Sequence, residues 1–156
     1  MKHSLSTLKL IVEKLEQTTV TWAVFGSMAL MLHGINTEPQ DIDILTDAEG
    51  ADIIADLFKK EQVKSIEKRP SDIWDSYLGT FVMNDIEVEI MRSLKVRSCL
   101  DNQWYCLQHL LELRQFVTVD DVVVPVVPLQ QLLSAYKKAG RKKDLVRIQM
   151  AKDNGY

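Results

Sequence analysis

The sequence has few cysteines and no long hydrophobic run, and these absences exclude several classes of protein. Its 156 residues include only two cysteines, Cys99 and Cys106. Two thiols do not make a disulfide scaffold, and no partner stands at metal-binding spacing from either of them. No apolar stretch approaches the ~20 residues that a membrane-spanning helix needs. We therefore expect a cytoplasmic protein with free thiols and no membrane partner.

The sequence also lacks a strong charge of either sign. The net charge is −3 and the pI is near 5.6, so nucleic acid is not favoured as a partner. The N-terminal segment MKHSLSTLKLIVEKLEQ carries scattered charges and lacks the apolar centre of a signal peptide. No Ser-His-Asp arrangement, Cys-His arrangement or Gly-rich P-loop is visible. Any catalytic site must therefore be built from other residues.

The length and the apolar content of 46% suit a single domain over residues 1–156. Apolar residues at helical spacing predict a helix from Leu5 to Leu15, and Thr21–Phe25 resembles a short buried strand. Two hairpins are predicted at Asn84-Asp85 and Asp120-Asp121, and Pro125 should keep the last strand at a sheet edge. Two helices follow, from 129 to 139 and from 141 to 151. This pattern predicts an α+β fold with a mixed, largely antiparallel sheet.

An acidic strand follows the first buried strand closely. In Asp41-Ile42-Asp43-Ile44 the two carboxylates share one face of a strand and the isoleucines share the other. Two carboxylates ~6 Å apart repel each other by roughly 3 kcal/mol at an effective dielectric constant near 20. A divalent cation removes this repulsion. A solvent-exposed acidic face is the alternative, although aspartate is uncommon in strands.

A second acidic strand repeats the pattern. In the segment IEVEI, residues 86–90, Glu87 and Glu89 alternate with apolar residues. If this strand lies beside the first, one of the two glutamates reaches Asp41 and Asp43. Three carboxylates on neighbouring strands are typical of sites for metal-assisted phosphoryl chemistry. A hairpin with a charged outer face is the alternative, and the spacing leaves open which glutamate is the third acid.

The pair Gly26-Ser27 interrupts the chain between the buried strand and the acidic strand. Glycine lets the backbone approach a ligand closely, and Ser27 stands at the start of a short helix, where free N–H groups favour phosphate oxygens. By itself the pair is more typical of a helix cap than of a phosphate site. Thirteen residues lie between Ser27 and Asp41, which is enough for a short helix and a return loop. The anion site and the acid pair can therefore face each other.

These motifs together resemble the nucleotidyltransferase superfamily, and within it the small bacterial proteins related to lincosamide and aminoglycoside nucleotidyltransferases. The matching residues are Gly26 and Ser27, the pair Asp41 and Asp43, and Glu89 within VEIM. The segment AYKKAGRKKDL, residues 135–145, resembles a basic segment near the end of many such proteins. The resemblance implies a nucleotidyltransferase-like mixed sheet flanked by helices. Its catalytic core spans about 18–95, and a C-terminal hairpin and helices occupy 97–156.

The resemblance implies transfer of a nucleoside monophosphate from a nucleoside triphosphate, ATP, to a hydroxyl acceptor. Asp41, Asp43 and Glu89 would bind Mg²⁺ or Mn²⁺ and carry catalysis, with Glu89 as a ligand or a base. Gly26 and Ser27 would contact the triphosphate. A small-molecule acceptor is favoured, and a homodimer stays open. The alternative is a non-catalytic member of the same fold that binds a nucleotide or a protein.

The C-terminal helices are strongly basic. The segment from 137 to 152 holds seven lysines and arginines against one acid, Asp144. For most of these side chains a solvated helical face is the simpler interpretation. One or two can reach the triphosphate, and we expect Lys137 or Lys143 to do so.

Overall fold

The computed structural model describes residues 2–156, which form five α-helices, one 3-10 helix and eight strands. In chain order the elements are α1 (Lys2–Leu15), β1 (Trp22–Phe25), α2 (Gly26–Leu32), β2 (Asp41–Thr46), α3 (Ala48–Leu57), β3 (Gln62–Lys68), β4 (Trp74–Met83), β5 (Ile86–Arg97), β6 (Trp104–Cys106), the 3-10 helix (Gln108–Leu111), β7 (Gln115–Val119), β8 (Val122–Val126), α4 (Leu129–Ala139) and α5 (Lys142–Asp153).

The strands form one mixed sheet. Its order is β3-β4-β5-β2-β1-β8-β7, and β6 pairs with the end of β5. The β2–β5 and β1–β8 pairs are parallel, whereas the remaining pairs are antiparallel. This architecture confirms the α+β prediction of a largely antiparallel sheet with flanking helices.

Local sequence explains the first helix and both hairpins. The apolar stripe of α1 is buried, with Leu8, Ile11 and Leu15 at most 2% exposed, as its helical spacing predicts. The turn pairs Asn84-Asp85 and Asp120-Asp121 all have positive φ, between 45° and 67°. Asparagine and aspartate tolerate this conformation, and a two-residue hairpin turn requires it. Both hairpin predictions are confirmed.

Two strands that the sequence pattern did not predict lie at the periphery. β3 is mostly exposed, its Val63 is 62% exposed, and its pairing with β4 is interrupted by register shifts. β6 is a three-residue exposed strand that pairs only with the end of β5. Neither strand has an alternating apolar face, because most residues on both faces of each strand are exposed or only half-buried. Pairing partners, rather than burial, define them.

The prediction that Pro125 marks an edge strand was wrong. β8 lies between β1 and β7, and β7 is the edge. Hydrogen-bonded and non-hydrogen-bonded pairs alternate from the tight turn onward, so the Phe116–Pro125 pair needs no N–H from proline. β8 meets β1 only at Val126. The backbone N–H that Pro125 lacks would therefore lie where β8 has no strand pairing.

The functional site is positioned by the order of the strands and by the packing of α4 and α5. β2 and β5 are adjacent although their first paired residues, Asp41 and Glu87, are 46 positions apart in the sequence. α4 packs against β5 and against α5, and the apolar core extends from Leu8 in α1 to Ala151 in α5. No helix within residues 2–156 has the length and apolar character to cross a bilayer.

Candidate active site

Strand β2 presents two carboxylates on one face. Ile42 and Ile44 are fully buried, whereas Asp41 and Asp43 are only half-buried. This alternation follows from the two-residue period of a strand. The isoleucines anchor the strand in the core, and that anchoring fixes the direction of both carboxylates.

The parallel pairing of β2 with β5 brings the glutamates beside the aspartates. The register pairs Asp41 with Glu87 and Asp43 with Glu89. Glu87 is exposed and Glu89 is half-buried. Burial, the neighbouring Glu87 carboxyl and the charge of Asp41 raise the pKa of Glu89 to about 7, and Lys143 opposes this rise. The structure thus brings together the three acids that the sequence singled out.

Asp43 is the central acid of the group. Burial, followed by the charges of Asp41 and Glu89, raises the pKa of Asp43 well above its usual value. The positive charges of Arg147 and Lys143 act in the opposite direction. Because like charges this close resist joint ionisation, a cation among these carboxylates would stabilise their charged forms.

The bend at Gly26 lies directly against Asp43. Gly26 has a φ of +70°, and a Cβ atom added there would collide with the Asp43 carboxylate. Only glycine permits both this backbone conformation and this approach. Ser27 follows in the first turn of α2, where its side chain is 9% exposed. Phe25 precedes that helix and makes no side-chain cap bond.

A cavity of about 370 Å³ opens over the acids. Its base and core-side wall come from the central strands and the Gly26 bend: Phe25, Gly26, Asp41, Asp43, Glu89, Met91 and Leu94. A second wall, which we call the β4 wall, consists of Arg69, Ser71, Trp74, Ser76 and Leu78. The third wall, which we call the α4–α5 wall, consists of Tyr136, Arg141, Lys143 and Arg147. This size is within the range of small-ligand sites.

A buried carboxylate organises the α4–α5 wall. Asp144 is fully buried, and its two oxygens accept hydrogen bonds from Arg141 Nε at 2.7 Å and Nη2 at 2.8 Å. Its Oδ1 also lies 3.7 Å from Arg147 Nη1. Arg141 stands over the Trp74 ring at 5.5 Å, and Arg147 stands over the Tyr136 ring at 5.2 Å. Two guanidinium groups are thereby held at the cavity by one carboxylate.

Sequence reasoning selected only part of this wall. Lys143 lines the cavity, but Lys137 is exposed and is not among the lining residues. Successive helical residues are rotated by about 100°, so Lys137 turns away where its neighbour Tyr136 turns inward. Arg141 and Arg147 belong to the basic segment, but the sequence pattern predicts no role for either of them. Their spacing of three residues on either side of Asp144 is the signal that could have identified them.

The acids have the chemistry of a divalent-metal site that is completed by other oxygens. Within residues 2–156, no group of three His, Cys, Asp or Glu side chains is arranged to hold a metal ion alone. Mg²⁺ commonly takes one or two carboxylates and fills its shell with water and substrate phosphates. Asp41 and Asp43 are hard oxygen donors on one face of β2. They therefore fit Mg²⁺ or Mn²⁺ shared with a polyphosphate.

Known proteins resemble this chain in sequence and in structure. The sequence model of the aminoglycoside-2''-adenylyltransferase family matches residues 7–152. A candidate nucleotidyltransferase from Thermotoga maritima, TM1012, is 30% identical, with a TM-score of 0.79 over 96% of this chain and 92% of that one. ANT(2'')-Ia, whose structure is in complex with adenylyl-2''-tobramycin, is 10% identical in sequence and shares the fold. Its TM-score is 0.59 over 96% of this chain and 89% of that one. No curated protein sequence matches significantly.

Proposed function

Because this chain belongs to the aminoglycoside-2''-adenylyltransferase family of nucleotidyltransferases, we propose that it transfers a nucleoside monophosphate from ATP to a hydroxyl group and releases pyrophosphate. One observation carries the proposal. Asp43 is flanked by Asp41 and Glu89 and touches the Gly26 bend, and all four residues line one cavity. This arrangement supports catalysis by positioning and charge neutralisation.

Asp41 and Asp43 would hold Mg²⁺ or Mn²⁺, with Glu89 as a third donor or as the base. When bound, the cation would neutralise phosphate charge at the reacting centre. A pKa of about 7 suits Glu89 to accept the proton of the acceptor hydroxyl. The acceptor oxygen forms a bond to the α-phosphorus while the bond to the β-phosphate oxygen breaks. The electron pair of that bond leaves with pyrophosphate.

The remaining residues would orient the triphosphate. We assign Gly26 and Ser27 to the phosphate chain because the bend directs this part of the backbone toward Asp43. Lys143 would also contact the phosphates, since its charge already acts on Asp43 and Glu89. Lys137 would contribute to the general positive charge of this surface rather than to a contact.

The β4 wall would receive the acceptor. The structural neighbour with bound adenylyl-2''-tobramycin makes a small polyhydroxylated molecule the class to test first. Here the β4 wall contains Arg69, two serines and Trp74, and the only carboxylates among the described lining residues are Asp41, Asp43 and Glu89. A polycation would find no counter-charge on this wall. We therefore propose a neutral or anionic small-molecule acceptor.

The test is the variant Asp43→Asn beside the exposed control Asp52→Asn. Binding of a non-hydrolysable ATP analogue with Mg²⁺ is measured by calorimetry, and pyrophosphate release is measured over a panel of hydroxyl acceptors. We expect Asp43→Asn to lose activity by at least about 100-fold while remaining folded. The control variant should match the parent.

Two results would contradict the proposal. Failure of the parent protein to bind the analogue with Mg²⁺ excludes a nucleotide site. Parental activity in Asp43→Asn excludes the acid group as the catalytic centre. Firm nucleotide binding without pyrophosphate release would instead support a non-catalytic, nucleotide-binding member of the family.

A further inference from the structure

Tyr136 is one of the residues that line the cavity, and its buried hydroxyl group has no hydrogen-bond partner in the part of the chain that the structure describes. The residue is 1% exposed and lies on the buried face of α4 with Leu132 and Ala135. The residue stands in the α4–α5 wall of the cavity. Within residues 2–156, its Oη atom has no hydrogen-bond partner.

An unpaired buried hydroxyl is unfavourable, since folding removes its water and supplies nothing in exchange. Phenylalanine would fill the same space without this cost. Burial also raises the pKa of Tyr136, so the phenol stays protonated and can donate. A ligand that accepts this hydrogen bond would restore the hydrogen-bonding free energy that the hydroxyl loses when the chain folds.

The charges around Tyr136 indicate an anionic ligand. The Arg147 guanidinium lies 5.2 Å from the ring, and Arg141 is part of the same wall. With Lys143, the α4–α5 wall carries three cations against the single carboxylate of Asp144. The charge of Arg147 also acts on Asp43 across the cavity. The wall itself therefore has an excess of positive charge. A donor hydroxyl beside excess positive charge suits a phosphate oxygen better than a neutral group.

We propose that Tyr136 donates a hydrogen bond to a non-bridging phosphate oxygen of the bound nucleotide, and that Arg147 faces the same phosphate chain. This inference rests on the proposed function, because it takes the polyphosphate as the ligand of the α4–α5 wall. It adds a neutral donor to the contacts made by Gly26, Ser27 and Lys143.

The experiment compares Tyr136→Phe with the parent protein and with Tyr77→Phe. Tyr77 is half-buried on β4 and lies outside the cavity lining, so it is a matched control for loss of a phenolic hydroxyl. The probes are a non-hydrolysable ATP analogue with Mg²⁺, tripolyphosphate with Mg²⁺, and adenosine. We expect Tyr136→Phe to weaken binding of both phosphate probes about tenfold. Adenosine binding should be unchanged, and Tyr77→Phe should bind every probe like the parent.

Thermal unfolding without ligand gives a second and independent readout. Tyr136→Phe should melt at the parental temperature or above it, because the hydroxyl has no protein partner to lose. A clear fall in melting temperature would mean that the hydroxyl is satisfied inside the folded chain, and this would overturn the proposal.

Binding results can overturn the proposal in two ways. Equal affinity of Tyr136→Phe and parent for tripolyphosphate would show that an ordered water satisfies the hydroxyl. Loss of adenosine affinity alone would place the contact on the nucleoside. If the Asp43→Asn experiment supports the proposed function and either of these results is found, only the Tyr136 inference fails.

Discussion

Gly26 shows how one residue without a side chain can define a site. Its left-handed backbone and its contact with Asp43 are separate requirements, and both exclude a Cβ atom. Gly34 has a similar backbone, with φ of +88°, but a Cβ atom there would meet nothing within 4 Å. A comparison of the two glycines therefore separates the free-energy cost of a strained backbone from the cost of displacing the Asp43 carboxylate.

Substitution of each glycine by alanine should reveal this difference. Both variants should lose about 1–2 kcal/mol of unfolding free energy, because an L-residue is strained in the left-handed region. Gly26→Ala should also lose about 100-fold in activity, since the Asp43 carboxylate must move. Chemical denaturation and pyrophosphate release measure the two effects. Equal activity in Gly26→Ala and Gly34→Ala would show that the bend does not position Asp43.

At the scale of elements, the beginning of α5 is the segment that ties the basic wall together. The Arg141 backbone N–H and side chain both bond the Asp144 carboxylate, at 3.1 Å and 2.7 Å from Oδ2. α5 has only a weakly apolar face, with Asp144 and Ala151 as its buried residues. We infer that this ion cluster, together with packing against α4, holds the helix over the cavity.

Removal of the shared charge should therefore destabilise the element and the site together. Asp144→Asn should lower the free energy of unfolding by about 2–4 kcal/mol, because two half-buried guanidinium groups lose their common partner. Affinity for the ATP analogue should fall as well. Asp153→Asn, at the exposed end of the same helix, should change neither quantity. Urea denaturation and calorimetry provide the measurements, and an unchanged unfolding free energy in Asp144→Asn would refute this view of α5.

At the scale of the whole molecule, the site stores unfavourable charge between two strands. The pKa of Glu89 is about 7 in the folded chain against an ordinary value of 4.5, with burial as the main cause. The folded state therefore binds this proton more tightly than the unfolded state does. Stability from this group is present at low pH and is lost as pH rises from about 4.5 to about 7.

Glu89→Gln should remove this pH dependence. Without divalent cations, the variant should match the parent near pH 4.5. At pH 8 its free energy of unfolding should exceed that of the parent by about 1–2 kcal/mol, because solvent screening of the half-buried carboxyl reduces the full linkage value. Mg²⁺ should reduce this difference in unfolding free energy at pH 8, because a cation stabilises the ionised carboxylates of the parent protein. Denaturation curves in chelator and in Mg²⁺ at both pH values make the comparison. If the free energies of unfolding of the parent and the variant differ by the same amount at every pH, the proposed charge coupling at Glu89 is ruled out.

Local patterns determined much of this protein in advance. The alternation of aspartate with isoleucine in residues 41–44 identifies a strand with one buried face, whatever surrounds it. Asparagine and aspartate at the hairpin turns prefer the positive φ values that the turns require, so these features follow from neighbouring residues alone. The family resemblance rested on the same short segments, and the family match over residues 7–152 confirms it.

Only the tertiary structure decided which residues meet. The β2–β5 register sets Glu89, rather than Glu87, opposite Asp43, and no local preference distinguishes the two glutamates. The position of β8 inside the sheet, the inward turn of Tyr136 and the pairing of Arg141 with Asp144 likewise depend on packing between distant segments. The physical reason is range: backbone preference and hydrophobic period act over a few residues, whereas burial and charge pairing act between residues that only the folded chain brings together.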